Sequence, residues 1–215
     1  EEEISAMRFE TMSPLRYLFY IFIHPVTGFE ELKYNKKGSL VLANCIMLLF
    51  FVANVMNKVV CAYIFNPVRL EDVNILWILT GCFGIVAVFT IANWLVCTLL
   101  DGKGSLREIW IAVCYALAPY TLFIIPLNLA THLLTQNEAV FFTAATMLLT
   151  AWSGLLLLAG MMGIHQFTMS KNFSTLLLTV VGMLIILFLV LLFFTLMHNV
   201  YTFVRLLYNE MMFRL

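Results

Sequence analysis

Apolar residues in this chain come in long unbroken runs, without the alternation or narrow stripes of a water-soluble fold. Five runs are long enough to cross a bilayer. They are Leu40 to Phe65, Val73 to Leu100, Ser105 to about Thr135, Ala139 to Phe167, and Phe173 to Val200. A helix rises ~1.5 Å per residue, so about 20 apolar residues bridge the ~30 Å hydrocarbon layer. The expected fold is all-α, a polytopic membrane protein with a bundle of five transmembrane helices.

The breaks between the runs carry start and stop signals. Asn66-Pro67 ends the first span, and Asp101-Gly102-Lys103-Gly104 turns the chain after the second. Ser105-Leu106-Arg107-Glu108 is a capping box that opens the third. Ahead of the spans, Ser13-Pro14 reads as a helix start with Ser13 as N-cap. The run to Ile23 that follows is too short to span. It is expected to lie at the membrane interface, anchored by Tyr17, Phe19, Tyr20 and Phe22. Thr27 to Glu30 has capping-box spacing and predicts a second short helix toward Tyr34. The chain thus divides into a cytoplasmic segment with interfacial helices (1–38), a five-helix domain (39–200) and an amphipathic C-terminal segment (201–215). Glu1-Glu2-Glu3 reads as part of a soluble tail, and no signal-peptide layout follows it.

The cations are distributed unevenly. Arg8, Arg16, Lys33, Lys36, Lys37, Lys103, Arg107 and Lys171 put eight on one side, against three, Arg69, Arg205 and Arg214, on the other. The positive-inside rule puts the N-terminus in the cytoplasm and the C-terminus outside. Lys plus Arg and Asp plus Glu are 12 each, so no net charge points to nucleic acid. The five cysteines all lie in apolar runs with no C-x-x-C pair and read as small buried hydrophobes.

Polar residues inside the spans are few. Asn54, Lys58 and Cys61 share one helical face, with Asn57 beside them and Asn128 at similar depth in the third span. Asn54, Asn57, Lys58 and Asn128 are the candidate polar pocket; alternatively, Lys58 sends its ammonium to the outer headgroups along its own stem. Pro119 and Pro126 free the carbonyls of Tyr115 and Leu122, so the third span is expected to be kinked and enclosed by protein. Gly81, Gly84, Gly154, Gly160 and Gly163 offer small surfaces for helix contacts and a possible homo-oligomer. His24, His132, His165 and His198 lack metal-ligand spacing and read as interfacial polar residues. No catalytic, cofactor or metal constellation stands out.

Three motifs resemble a known family: Ala92-Asn93-Trp94, then Leu99-Leu100-Asp101-Gly102-Lys103-Gly104-Ser105, then Tyr115-Ala116-Leu117-Ala118-Pro119. Together with the string from His24 to Ser39 and Trp152 to Leu155, they are similar to the bacterial branch of the Yip-type membrane proteins. The resemblance extends from about Pro14 to Leu215, and its most specific part is the block from Asp101 to Pro119. It marks Asn93, Trp94, Asp101, Gly102, Gly104, Tyr115 and Pro119 as family-motif residues. It implies five spans, a cytoplasmic N-terminus and an outer C-terminus. Eukaryotic members are associated with Rab-type GTPases; this chain lacks their DLYGP-like motif, which counts against a GTPase partner. The implied function is a membrane scaffold or accessory protein in contact with lipids and another integral membrane protein, beside a transporter or in membrane trafficking. A small transporter or channel built on the kinked third span and Lys58 is the alternative; lipid binding or membrane shaping is a further one.

Overall fold

The computed structural model describes residues 13–34, 38–62, 64–66 and 69–214. Expectations resting on Glu1 to Glu3, Arg8, Lys36, Lys37 and Pro67 lie outside the described residues. Among the described residues there are seven α-helices and no strand. Two short helices, α1 (Pro14–Ile23) and α2 (Pro25–Tyr34), precede five long ones: α3 (Leu40–Val59), α4 (Ile75–Leu99), α5 (Leu106–Ala130), α6 (Ala139–His165) and α7 (Met169–Arg214). All five long helices are long and apolar enough to cross a membrane.

The start signals are realised by side-chain oxygens that take up free amides. Ser13, Ser39 and Asn74 accept from the third residue of α1, α3 and α4. At α5, Ser105 and Glu108 form the reciprocal box. The box at Thr27 is not used. Helix α2 begins two residues earlier at Pro25, whose fixed φ suits a first helical position, and the Thr27 hydroxyl donates back to the His24 carbonyl at 3.5 Å.

Helix α3 stops at Val59, six residues before the expected Phe65. Side chains from elsewhere take over its end. The Ala62 amide donates to Thr131 Oγ1 at 3.0 Å, His132 Nε2 is 2.6 Å from the Val60 carbonyl, and Asn66 Nδ2 donates to the Asn57 carbonyl at 2.7 Å. These bonds replace helical ones and tie the end of α3 to the end of α5.

Helix α5 is the centre of the bundle. It packs most extensively on α6 and α3, and α4 also touches it. Both prolines lie within its unbroken helix; the protein encloses Pro119 and Tyr115 as the freed carbonyl requires, while Pro126 is exposed. Helix α7 runs beside α4 and touches α6 only lightly. It also continues without a break through Val200 to Arg214, so the C-terminal segment expected from Tyr201 is helical and continuous with the fifth spanning helix.

Helices α1 and α2 pack on the protein. Tyr17, Leu18 and Ile21 are buried, and Tyr17 donates its hydroxyl to the Gly28 carbonyl at 2.5 Å. Tyr17 is therefore a core residue and not a lipid anchor; Phe19 on the same helix remains exposed. Burial, and after it the nearby Glu31 carboxylate, raises the Tyr17 hydroxyl above the usual tyrosine range, so it persists as a donor. Gly160 and Gly163, expected to serve contacts between spans, instead receive Phe29 of α2. A Cβ on Gly163 would stand 3.0 Å from the Phe29 backbone, so this seat needs a glycine.

Candidate functional site

Three of the family-motif residues, Asn93, Gly102 and Gly104, come together at the end of the bundle that carries α2, with Asp101 in the adjoining turn. Helix α4 ends in a left-handed turn: Asp101 takes φ 59°, and the Gly102 amide donates to the Cys97 carbonyl at 2.7 Å. That is the longer bond of a Schellman closure, with Asp in the position glycine usually fills. The turn carries Gly102 and Gly104 across the imidazole of His165. A Cβ at Gly102 would lie 2.7 Å from His165 Nδ1, and one at Gly104 would lie 2.6 Å from Cε1. Both positions demand glycine because the ring occupies the space.

His165 is only 2% exposed. The Gly104 amide donates to its Nδ1 at 3.3 Å, and an amide can only donate. Nδ1 is thereby the acceptor, so the proton sits on Nε2, which donates to Asn93 Oδ1 at 3.0 Å. Cys97 Sγ also approaches Asn93 Oδ1, at 3.7 Å. Asn93 Nδ2 donates to Thr179 Oγ1 at 3.2 Å, and Thr179 donates to the Thr175 carbonyl on α7. One neutral histidine therefore links the loop, α4, α6 and α7. The ring stacks on Phe167 with centroids 5.5 Å apart.

Lysines fasten the rim of this cluster. Lys33 of α2 donates to Glu108 Oε2 at 2.6 Å and to the Lys103 carbonyl at 2.5 Å. Lys103 reaches Gln166 Oε1 at 3.0 Å, and Gln166, itself left-handed at φ 56°, donates to the Tyr34 hydroxyl. Lys171 donates to the Leu100 carbonyl at 2.8 Å and lies 4.3 Å over the Phe167 ring. These groups make the cluster a clasp. Its polar groups bond to one another, and a space of about 250 Å3 lies at its edge, lined by Gly38, Ser105, Arg107, Glu108 and Ile111.

The other motif residues sit elsewhere. Trp94 is half-buried against the core. Tyr115 is buried in α5, where its hydroxyl accepts the Ser39 amide at 3.2 Å and so fixes the start of α3. Pro119 is buried one turn further along α5. The Asp101 side chain is exposed.

With this arrangement in view, comparison with known families is decisive: the Yip1 domain matches residues 19–197. The chain belongs to the Yip1 domain family. No curated protein and no solved structure matches it. With the five spanning helices, membership makes it an integral membrane protein. The clasp lies inside the Yip1 domain match, and so does every family-motif residue.

Two of the four residues of the expected polar pocket line one groove. Asn54 and Lys58 lie along a groove of about 380 Å3 between α3 and α4, with Trp77 and Cys82 opposite. Asn54 spends its amide on the Phe50 carbonyl at 2.8 Å. Asn57 offers its backbone carbonyl to Asn66. Asn128 is fully buried in α5, and its side-chain amide has no hydrogen-bond partner among the described residues. Among the cysteines, Cys61, Cys97 and Cys114 are buried, Cys82 is half-buried and Cys45 is exposed; all are free.

Reasoning from the sequence passed over His165, taken there as an interfacial polar residue. The available signal was the pair of glycines in the loop. Gly102 does not supply the left-handed turn, which Asp101 makes; both glycines are there to admit a ring.

Proposed function

We propose that this Yip1 domain protein is a non-enzymatic accessory protein that docks a helix of another integral membrane protein along α7. The observation that carries this reading is the length and isolation of α7. Its 46 residues extend roughly 69 Å at ~1.5 Å each, more than twice the ~30 Å hydrocarbon thickness. Beyond Met183 nearly every residue of α7 is exposed.

The far third of α7 is patterned for a partner. Thr195, His198, Thr202, Arg205 and Asn209 follow three-four spacing and form a polar stripe. Met197, Val200, Val204, Leu207 and Met211 follow the same spacing on the opposite face, all about half exposed. An apolar ridge of about two heptads is the seam by which one helix packs on another. Where α7 projects past the hydrocarbon, that ridge meets water unless a partner covers it.

The clasp supplies the rigidity that holds α7 at a fixed angle, through Thr179 and Lys171. Lys33, Lys103 and Lys171 gather at the same end of the bundle. By the positive-inside rule we read that end as cytoplasmic and the far end of α7 as outside, in a bacterial plasma membrane.

A photo-crosslinking residue at Val204 tests the docking. The expected result is a defined adduct with one other membrane protein at native expression, lost when Leu207 and Met211 are both changed to Glu. Adducts only with lipid, or only with a second copy of this chain, would overturn the reading.

A further inference from the structure

We infer that the bundle holds a binding site for an anionic glycerophospholipid, with one acyl chain inside the bundle and the phosphate beside Lys58. The site is independent of the partner seam on α7.

The cavity comes first. A space of about 430 Å3 opens among all five spanning helices, walled by Phe50, Phe89, Ala116, Tyr120, Ser153 and Met183. Its size falls within the range of pockets that hold small ligands, about 300–1,000 Å3. Water is a poor occupant. A buried water needs two to four polar partners. Ser153 Oγ is buried with no hydrogen-bond partner, and the Thr150 hydroxyl already donates to the Thr146 carbonyl. The nearest abundant apolar matter is the acyl chain of a neighbouring lipid.

The headgroup position comes second. Phe50, Ile85, Val86 and Leu117 wall both this cavity and the groove that reaches Asn54 and Lys58, so the two spaces adjoin. Lys58 is the next-to-last residue of α3, at the opposite end of the bundle from the Lys33 to Glu108 pair. Its ammonium has no ion pair among the described residues. Trp77 lies across from it in the first turn of α4, where the positive end of the helix dipole also favours an anion. Cation, interfacial Trp and apolar cavity, in that order along one path, complement the phosphate, glycerol and acyl chain of a lipid.

Two glycines make the test clean. Gly154 lines the cavity and Gly81 lines the groove, and a Cβ at either meets nothing within 4 Å. A side chain can therefore be started at either position without a clash at its first carbon.

The full chain is placed in phosphatidylcholine nanodiscs containing a minor fraction of phosphatidylglycerol with a diazirine in its acyl chain. After illumination the labelled peptides are mapped. Label is expected on Phe89, Ala116 and Met183 well above the lipid-facing Leu191 of α7. Gly154→Leu should reduce cavity labelling several-fold, and Gly81→Leu should do the same by closing the path to Lys58. Lys58→Gln should lower the preference for phosphatidylglycerol over phosphatidylcholine about fivefold, the factor a single cation near an anionic surface supplies. Labelling of Leu191 as strong as that of Ala116 in the wild-type protein overturns the site, whatever the variants do. An unchanged headgroup preference in Lys58→Gln overturns the headgroup assignment. So does a diazirine fatty acid that labels the cavity when the phospholipid does not.

Discussion

Helices α5 and α7 are both apolar spans, yet the protein uses them in opposite ways. Of the most apolar stretch of each, 61% is buried in α5 and 6% in α7. The more apolar helix is the more exposed one. In water that order would be perverse. In a bilayer the lipid is as apolar as leucine, so hydrophobicity only keeps a helix in the membrane and does not draw it to the centre. What brings α5 to the centre is its awkward chemistry: Pro119, Tyr115, Thr121 and Asn128, all buried and each better accommodated by protein than by lipid. In α7 the buried polar residues, Asn172, Thr175 and Thr179, all lie near its start, and that is where it touches the bundle.

The sharpest way to break this comparison is to remove the residue that ties the start of α7 to α4, α6 and the loop leading into α5. His165→Ala takes away the acceptor for Gly104 and the donor for Asn93, and leaves a void between two glycines. Leaving a buried polar group unpaired costs about 1–3 kcal/mol, and a cavity adds to it. A loss of about 3 kcal/mol is expected in thermal unfolding of the detergent-solubilised protein. His165→Asn, which can still accept and donate, should recover part of it. Equal losses in both variants would show that ring volume alone matters.

Next in size is a change inside α5. Ile124 is 1% exposed, and Ile124→Ala creates a void. In the membrane the transfer component largely disappears, because the alternative neighbour is lipid. The lost packing remains, so about 1–3 kcal/mol is expected. The pair that fixes α2 comes third. Lys33 and Glu108 are about one-fifth exposed, with a charge-assisted bond of 2.6 Å. Glu108→Gln weakens both that bond and the capping box, and about 1 kcal/mol is expected, smaller at high salt. A loss that does not change with salt would assign the effect to the cap alone.

Much of this frame was legible in the residues, because the bilayer sets span length and small polar side chains set span starts. The number of spans, the caps at Ser13 and Ser105, and the enclosed position of α5 all follow from such local rules. Neither the clasp nor the end of α3 is local. Asn93 and His165 are 72 residues apart, and Thr131 is 69 residues from the amide it receives. No periodicity within one helix records the rotation that points two such residues at each other. The far end of α7 misled for a different reason. The boundary expected at Val200 rests on Arg205 and Arg214 breaking the apolar run, a change of composition and not a stop signal. The stretch from Met197 to Tyr201 contains neither Pro nor Gly, and the helix runs on through it.

The smallest effect is the most telling about α7. Leu191 is 67% exposed, and alanine there removes contacts with lipid or a partner, not with the bundle. Unfolding of the isolated chain should shift by less than about 0.5 kcal/mol, as for surface substitutions elsewhere. Val204→Ala and Leu207→Ala should be equally silent in the isolated chain, while in the native membrane they should weaken the Val204-centred crosslink. Silence in both settings would mean that α7 is a lipid-facing helix along its whole length. Destabilisation of the isolated chain by any of the three would mean that α7 folds back onto its own bundle, and the contrast with α5 would be lost.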